Sequence, residues 1–136
     1  MTHSNLNVDQ RDIVWLEITY SDLSGSKRRP GLILSNNLYN STHNDVICCA
    51  ITSKLRKDCC IAIENVDLES GNSFKKDNRV RFDWILKVHK SLINNKHGTL
   101  NAQKTQEIID AIQDLIEPVA NLLKLPRNPI KTQLTP

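Results

Sequence analysis

No run of apolar residues in this chain exceeds six, at positions 46–51, so no transmembrane helix is expected. The opening stretch, MTHSNLNVDQRD, holds no apolar core of the kind a secretory signal needs. The chain has no C-x-x-C pair and no His at metal-ligand spacing, so neither a metal nor another cofactor is expected. Its four cysteines come instead as two adjacent pairs, Cys48-Cys49 and Cys59-Cys60. Neighbours on a strand point to opposite faces, so such a pair cannot clamp one ion from one side. The expectation is free thiols packed as small hydrophobes in a reducing cytoplasm. Aromatic residues are scarce too, at 4%.

What is present describes an ordinary soluble domain. The 136 residues are 39% hydrophobic and 24% charged, which fits one domain with one real core. The net charge of +3 is mild, but its distribution is uneven. Residues 27–60 are net +4, through Lys27, Arg28, Arg29, Lys54, Arg56 and Lys57. Residues 75–97 are net +5, beginning with Lys75, Lys76, Arg79 and Arg81. The flanking blocks 1–26 and 61–74 are each net −3. Two basic blocks form an anion-binding face if the fold joins them; otherwise they are solvated loop cations.

Patterning predicts strands at 12–19, 30–35, 45–52, 59–64 and 78–89, rich in β-branched residues and bounded by turn chemistry. Residues 36–44 and 65–77 read as loops, 21–27 and 94–98 as turns, and 53–58 as a basic turn. Asn40-Ser41-Thr42 is a glycosylation sequon without other signs of secretion. Residues 101–125 carry Ile108, Ile112, Leu115, Val119 and Leu122 at helical spacing, with Asn101 as N-cap. Pro118 should kink or restart that helix near Glu117. Strands followed by one terminal helix imply a mainly β fold, a small barrel-like sheet. The expected organisation is a disordered arm at 1–9, the folded unit at 10–117, and a helix extension with a proline-containing tail at 118–136.

The strand at 78–89 alternates strictly at its start, with Val80, Phe82 and Trp84 on one face and Arg81 and Asp83 on the other. Arg81 and Asp83 could neutralise each other at a sheet edge, or form a site with a carboxylate to move a proton and a guanidinium to hold a phosphate. Thr52 and Ser53 end their strand, where hydroxyls satisfy turn N–H groups or bind phosphate oxygens. Arg29, before Pro30, points into solvent or at a ligand.

These signals occur in a familiar order. RRPGLILSN-x-x-YN at 28–40 is followed by CAITS at 49–53, VRFD at 80–83, and GTL at 98–100 before the amphipathic helix. This order resembles the MazF/PemK family of toxins from type II toxin–antitoxin pairs, over about residues 9–116. The first strand departs from the family in reading Arg11-Asp12-Ile13, with Arg where Gly is usual. The loop before Arg28 lacks the His of the PemK branch, and Trp84 stands where a Gln often follows the strand Asp.

The resemblance implies an SH3-like barrel, a homodimer, and sequence-specific, metal-independent cleavage of single-stranded mRNA. It implies catalytic roles for Arg29, Thr52, Arg81 and Asp83. Lys27, Arg28, Ser53, Lys54, Arg56, Lys57, Lys75, Lys76 and Arg79 would track the RNA backbone, with base stacking falling to Phe74 or Tyr39. The implied protein partner is a cognate antitoxin, through which alone operator DNA would be bound; no membrane is implied. Two other readings share the fold. One is a gyrase-poisoning toxin, which relies on an aromatic C-terminus where this sequence reads Gln-Leu-Thr-Pro. The other is a non-catalytic homologue that binds only antitoxin or operator.

Overall fold

The computed structural model describes residues 7–19, 22, 24–54 and 58–119. Seven strands form one antiparallel sheet: β1 (Asp12–Thr19), β2 (Ser26–Ile33), β3 (Asp45–Thr52), β4 (Cys60–Ile63), β5 (Leu68–Gly71), β6 (Asn78–His89) and β7 (Ile93–Leu100). Their order across the sheet is β4-β6-β3-β2-β1-β7-β5. Helix α1 (Asn37–Thr42) links β2 to β3, and α2 (Ala102–Ile116) follows β7. The mainly β fold with a C-terminal helix is thus present as expected.

The central strands are near-continuous apolar runs because both of their faces are covered. Val14, Leu16, Ile33, Val46 and Cys48 meet Val8, Val88 and Ile93 in one core. Ile13, Leu32, Cys49 and Ile51 meet Val80, Leu100 and Ile108 of α2 in the other. Adjacent residues therefore enter different cores, which is how Cys48 and Cys49 are both buried. Burial pushes the Cys48 thiol up to about 12. Cys49 is raised further by burial and by the neighbouring Cys48. A buried thiol held protonated in this way is a poor nucleophile, and all four cysteines stand as thiols.

Several expectations need correction. The expected arm extends to residue 9, yet Val8 is buried in the first core, so packing begins earlier; residues 1–6 lie outside the described residues. Strand β2 starts at Ser26, so Lys27 and Arg28 sit on a strand rather than in a turn. The expected loop at 36–44 contains α1, N-capped by the Asn36 side chain, which accepts from Tyr39 N at 2.9 Å. Asn40 of the sequon is buried and donates through Nδ2 to Ser35 O at 2.8 Å, a position no glycan would reach.

The expected turn at 94–98 is instead part of β7, and the expected loop at 65–77 contains β5. Both sequences are polar and Gly-containing, so propensity hid them; β1 supplies the pairing for β7. Gly71, at φ 109, and Gly98 let β5 and β7 approach so closely that a Cβ on either would strike the other's backbone. Helix α2 begins as expected, with Asn101 accepting from Lys104 N at 2.7 Å, and breaks as expected at Glu117 ahead of Pro118, its last helical residue being Ile116. Only Ile108 and Ile112 of its stripe pack on the sheet; Leu115, Ile116 and Val119 are exposed. Leu122 and the tail lie outside the described residues.

One buried charge pins the start of the sheet. Asp12 is 1% exposed. Its carboxylate accepts from Asp9 N (2.9 Å) and Thr99 Oγ1 (3.1 Å) and pairs with Lys96 Nζ at 3.0 Å. A buried carboxylate is tolerable only with such partners, and here they tie β1 to β7. Arg11 before it sits at φ 80, the left-handed region that favours glycine. Its guanidinium donates to Leu100 O at 3.0 Å and pairs with Glu69 at 3.2 Å.

Candidate functional site

Register decides which side chains can meet. Gly31 of β2 faces Ala50 of β3, and Ala50 faces Arg81 of β6. Thr52 faces Arg79. Opposed residues share a face, as do residues two apart on a strand. Arg29, Thr52, Arg79 and Arg81 therefore project from one face across three neighbouring strands.

The strict alternation of β6 breaks within this patch. Cys49 faces Ile85 while the next residue, Ala50, faces Arg81, so residues 82–84 bulge out of register. The bulge changes the phase of alternation. Val80 stays in the core and Phe82 packs against it, but Trp84 turns to the guanidinium side. The expectation that Trp84 shares a face with Val80 and Phe82 is thus overturned. Its ring centroid lies 5.8 Å from the Arg29 guanidinium and 5.0 Å from that of Arg81. Arg81 Nε is in turn 3.3 Å from Asp83 Oδ1, both side chains being half-buried. Trp84 thereby connects Arg29 to the Arg81–Asp83 pair through cation–π contacts.

Beside this patch opens a cleft of about 810 Å³. Among the described residues its lining includes six bases, Lys27, Arg28, Arg29, Lys54, Lys75 and Lys76, and no acid. The two basic blocks of the sequence therefore do meet. Thr52 and Ser53 also line it. Thr52 Oγ1 accepts from Lys54 N at 3.1 Å, which shapes the turn and leaves the hydroxyl proton free to donate. A more open cleft of about 620 Å³ shares Phe74, Lys75 and Lys76 but mixes them with Glu64 and Asp77, so its field is weaker.

Of the residues singled out from the sequence, Arg29, Thr52, Lys27, Arg28, Ser53, Lys54, Phe74, Lys75 and Lys76 line the basic cleft. Arg79, Arg81 and Asp83 do not line it; they sit on β6 next to Thr52 and Arg29. Tyr39 stacks on His43 of α1's C-cap, 3.9 Å between centroids, and is not part of the cleft lining. Arg56 and Lys57 lie outside the described residues. Sequence reasoning missed Trp15 and His97, which also line the cleft. Alternation on β1 could have shown that Trp15 shares a face with Ile13. Reading 94–98 as a turn concealed His97. Among the described residues, no group of three His, Cys, Asp or Glu side chains could hold a metal ion.

Residues 9–116 match the family described as the PemK-like, MazF-like toxin of type II toxin–antitoxin systems. No curated protein matches the chain. Among solved structures, the fold is similar to a MazE–MazF complex from Deinococcus radiodurans, with a TM-score of 0.66 and 21% identity over 82% of this chain and 97% of that one. It is also similar to an endoribonuclease in complex with its cognate antitoxin from a mycobacterial species. That match has a TM-score of 0.63 and 20% identity, over 79% of this chain and 92% of that one. A second mycobacterial endoribonuclease structure matches with a TM-score of 0.63 and 19% identity, covering 80% and 90%.

Proposed function

Because the chain belongs to the PemK-like, MazF-like toxins of type II toxin–antitoxin systems, we propose that it is an endoribonuclease that cleaves single-stranded mRNA at specific sequences without a metal. The observation that carries this reading is the convergence of Arg29 and Arg81 on Trp84, with Asp83 held on Arg81, beside a cleft whose described lining holds six bases and no acid. A phosphodiester backbone fits that field; a neutral or cationic substrate does not.

In the proposed reaction the substrate's own 2′-oxygen attacks the adjacent phosphorus. Asp83 takes the 2′-OH proton as the new 2′-O–P bond forms. The negative charge gathering on the phosphorane faces Arg81 and Arg29, whose guanidiniums are already positioned on Trp84. Thr52 and Ser53 donate hydrogen bonds to the non-bridging oxygens. The P–O5′ bond then breaks and the departing oxygen takes a proton from water. The arginines act by charge, since a guanidinium with a pKa above ~12 yields a proton poorly. The products are a 2′,3′-cyclic phosphate and a 5′-OH.

As the toxin of its pair, the protein would be a cytoplasmic homodimer opposed by a cognate antitoxin. An acidic antitoxin segment laid along the six bases would compete directly with RNA, and operator DNA would be reached only through that antitoxin. The test is cleavage of a long unstructured RNA in excess EDTA. Wild type should give fragments ending in cyclic phosphate. Asp83→Asn should lower the rate by about 10²–10⁴-fold, and Arg29→Ala by about 10²–10³-fold. Cleavage that survives both substitutions would place the chemistry elsewhere. No cleavage of several RNAs by wild type would remove the ribonuclease reading altogether.

A further inference from the structure

The cleft holds a second feature that the phosphate chemistry does not use. His97 and Phe74 lie with their rings nearly parallel, 4° apart in plane and 5.2 Å between centroids. Trp15 meets His97 edge-on at 6.3 Å and 69°. The Arg28 guanidinium lies 5.5 Å over the Trp15 ring and is tied to Asn95 Oδ1 at 2.8 Å. Three rings and a guanidinium thus form one continuous π surface along the cleft.

His97 reaches this surface through a local irregularity. Ile13 of β1 faces Gly98 and the next residue, Val14, faces Lys96, so His97 is the extra residue of a β-bulge. A bulge re-aims a side chain out of the regular alternation, and here the ring enters the cleft beside Trp15. Phe74 is held by its own backbone N–H, which donates to Asn65 Oδ1 at 2.7 Å. His97 Nε2 has no hydrogen-bond partner among the described residues. An unpaired buried nitrogen is unfavourable and calls for an explanation. Stacking, rather than a polar network, holds this ring.

All three rings are half-buried rather than sealed in a core. Rings left open to a cleft of six bases suit a ligand that is flat, aromatic and polyanionic. We infer that Trp15, His97 and Phe74 form a stacking platform for unpaired nucleobases, while Lys75 and Lys76 take the flanking phosphates. The inference rests on the ribonuclease reading and adds to it: the cleft binds single strands because only an unstacked base offers its face to the rings.

The test uses the full chain and two non-cleavable probes of equal phosphate count. One is a 2′-O-methyl oligoribonucleotide of mixed sequence, the other an abasic oligomer. The base-bearing probe should bind about tenfold tighter or more, the gain from one or more stacked bases. His97→Leu and Phe74→Leu should each remove most of that gain, and His97→Phe should keep it. In Trp84→Phe protein, where Trp15 is the remaining tryptophan, only the base-bearing probe should quench emission. Lys75→Gln with Lys76→Gln should instead weaken both probes equally. Equal binding of the two probes by wild type overturns the platform and leaves the ribonuclease reading standing. So does a base-dependent gain that persists in both leucine variants. Binding of neither probe overturns both. A ring-dependent gain confined to an acidic peptide carrying aromatic side chains would assign the surface to a protein ligand and overturn the inference.

Discussion

Arg11 occupies a backbone conformation, φ 80, that an L side chain resists. Its contacts to Leu100 O and Glu69 offset part of that strain. Arg11→Ala loses the contacts and keeps the strain, so it should be less stable than Arg11→Gly by about 1 kcal/mol, read from denaturant unfolding. Trp84 is the opposite case, a ring set against two arginines of the proposed site. Trp84→Ala should leave the melting temperature nearly unchanged yet lower cleavage on the order of 10²-fold, because Arg29 and Arg81 lose the ring that positions both. The buried thiols make a pH prediction. Folding raises the Cys48 thiol from its ordinary 9.0 to about 12, so above pH 9 the unfolded chain ionises first. Stability should be at its full value below that pH and fall as pH rises towards 12, measured by thermal melts across the range.

Among the elements, α2 is divided between a packed half and an open one. Ile108 is fully buried while Ile116 is 74% exposed, although both belong to the apolar pattern of one helix. Ile108→Ala should cost about 3 kcal/mol by leaving a cavity, whereas Ile116→Ser should stay within about 0.5 kcal/mol. Chemical denaturation of the two variants checks this. Bulges set the geometry of the proposed site and of the cleft. The bulge in β6 turns Trp84 towards the arginines, and the one in β7 turns His97 into the cleft. Regular period-2 reasoning located β1, β3 and β6 at their observed bounds, and it placed Arg81 beside Asp83. It could not locate Trp84, because a bulge has no signature in the local pattern of polar and apolar residues.

At the scale of the whole molecule, the two basic blocks become one field because β2, β3 and the segment before β6 converge on the same cleft. A weak net charge thereby conceals a strongly basic local surface. If all six cleft bases engage phosphates, the logarithm of RNA affinity should fall with the logarithm of salt concentration at a slope of about −4. Removing Lys75 and Lys76 together should reduce that slope by roughly one to one and a half. Titration of the non-cleavable oligonucleotide at several salt concentrations measures both.

The sequence by itself determined the family resemblance, the apolar strands, the start of α2 and the Arg81–Asp83 pair, because each depends on residues close together in the chain. The ordered motifs from Arg29 to Asp83 carried the expected site in the same way. Tertiary structure decided the rest. Residues 93–100 form a strand because β1 lacks a partner on that side, not because Asn, Lys and Gly favour one. Phe74, His97 and Trp15 meet through pairings between strands far apart in sequence. Arg29 reaches Arg81 only across β3 and only over a tryptophan turned by a bulge. Contacts of that kind are fixed by register, and register is set by the packing of both cores at once.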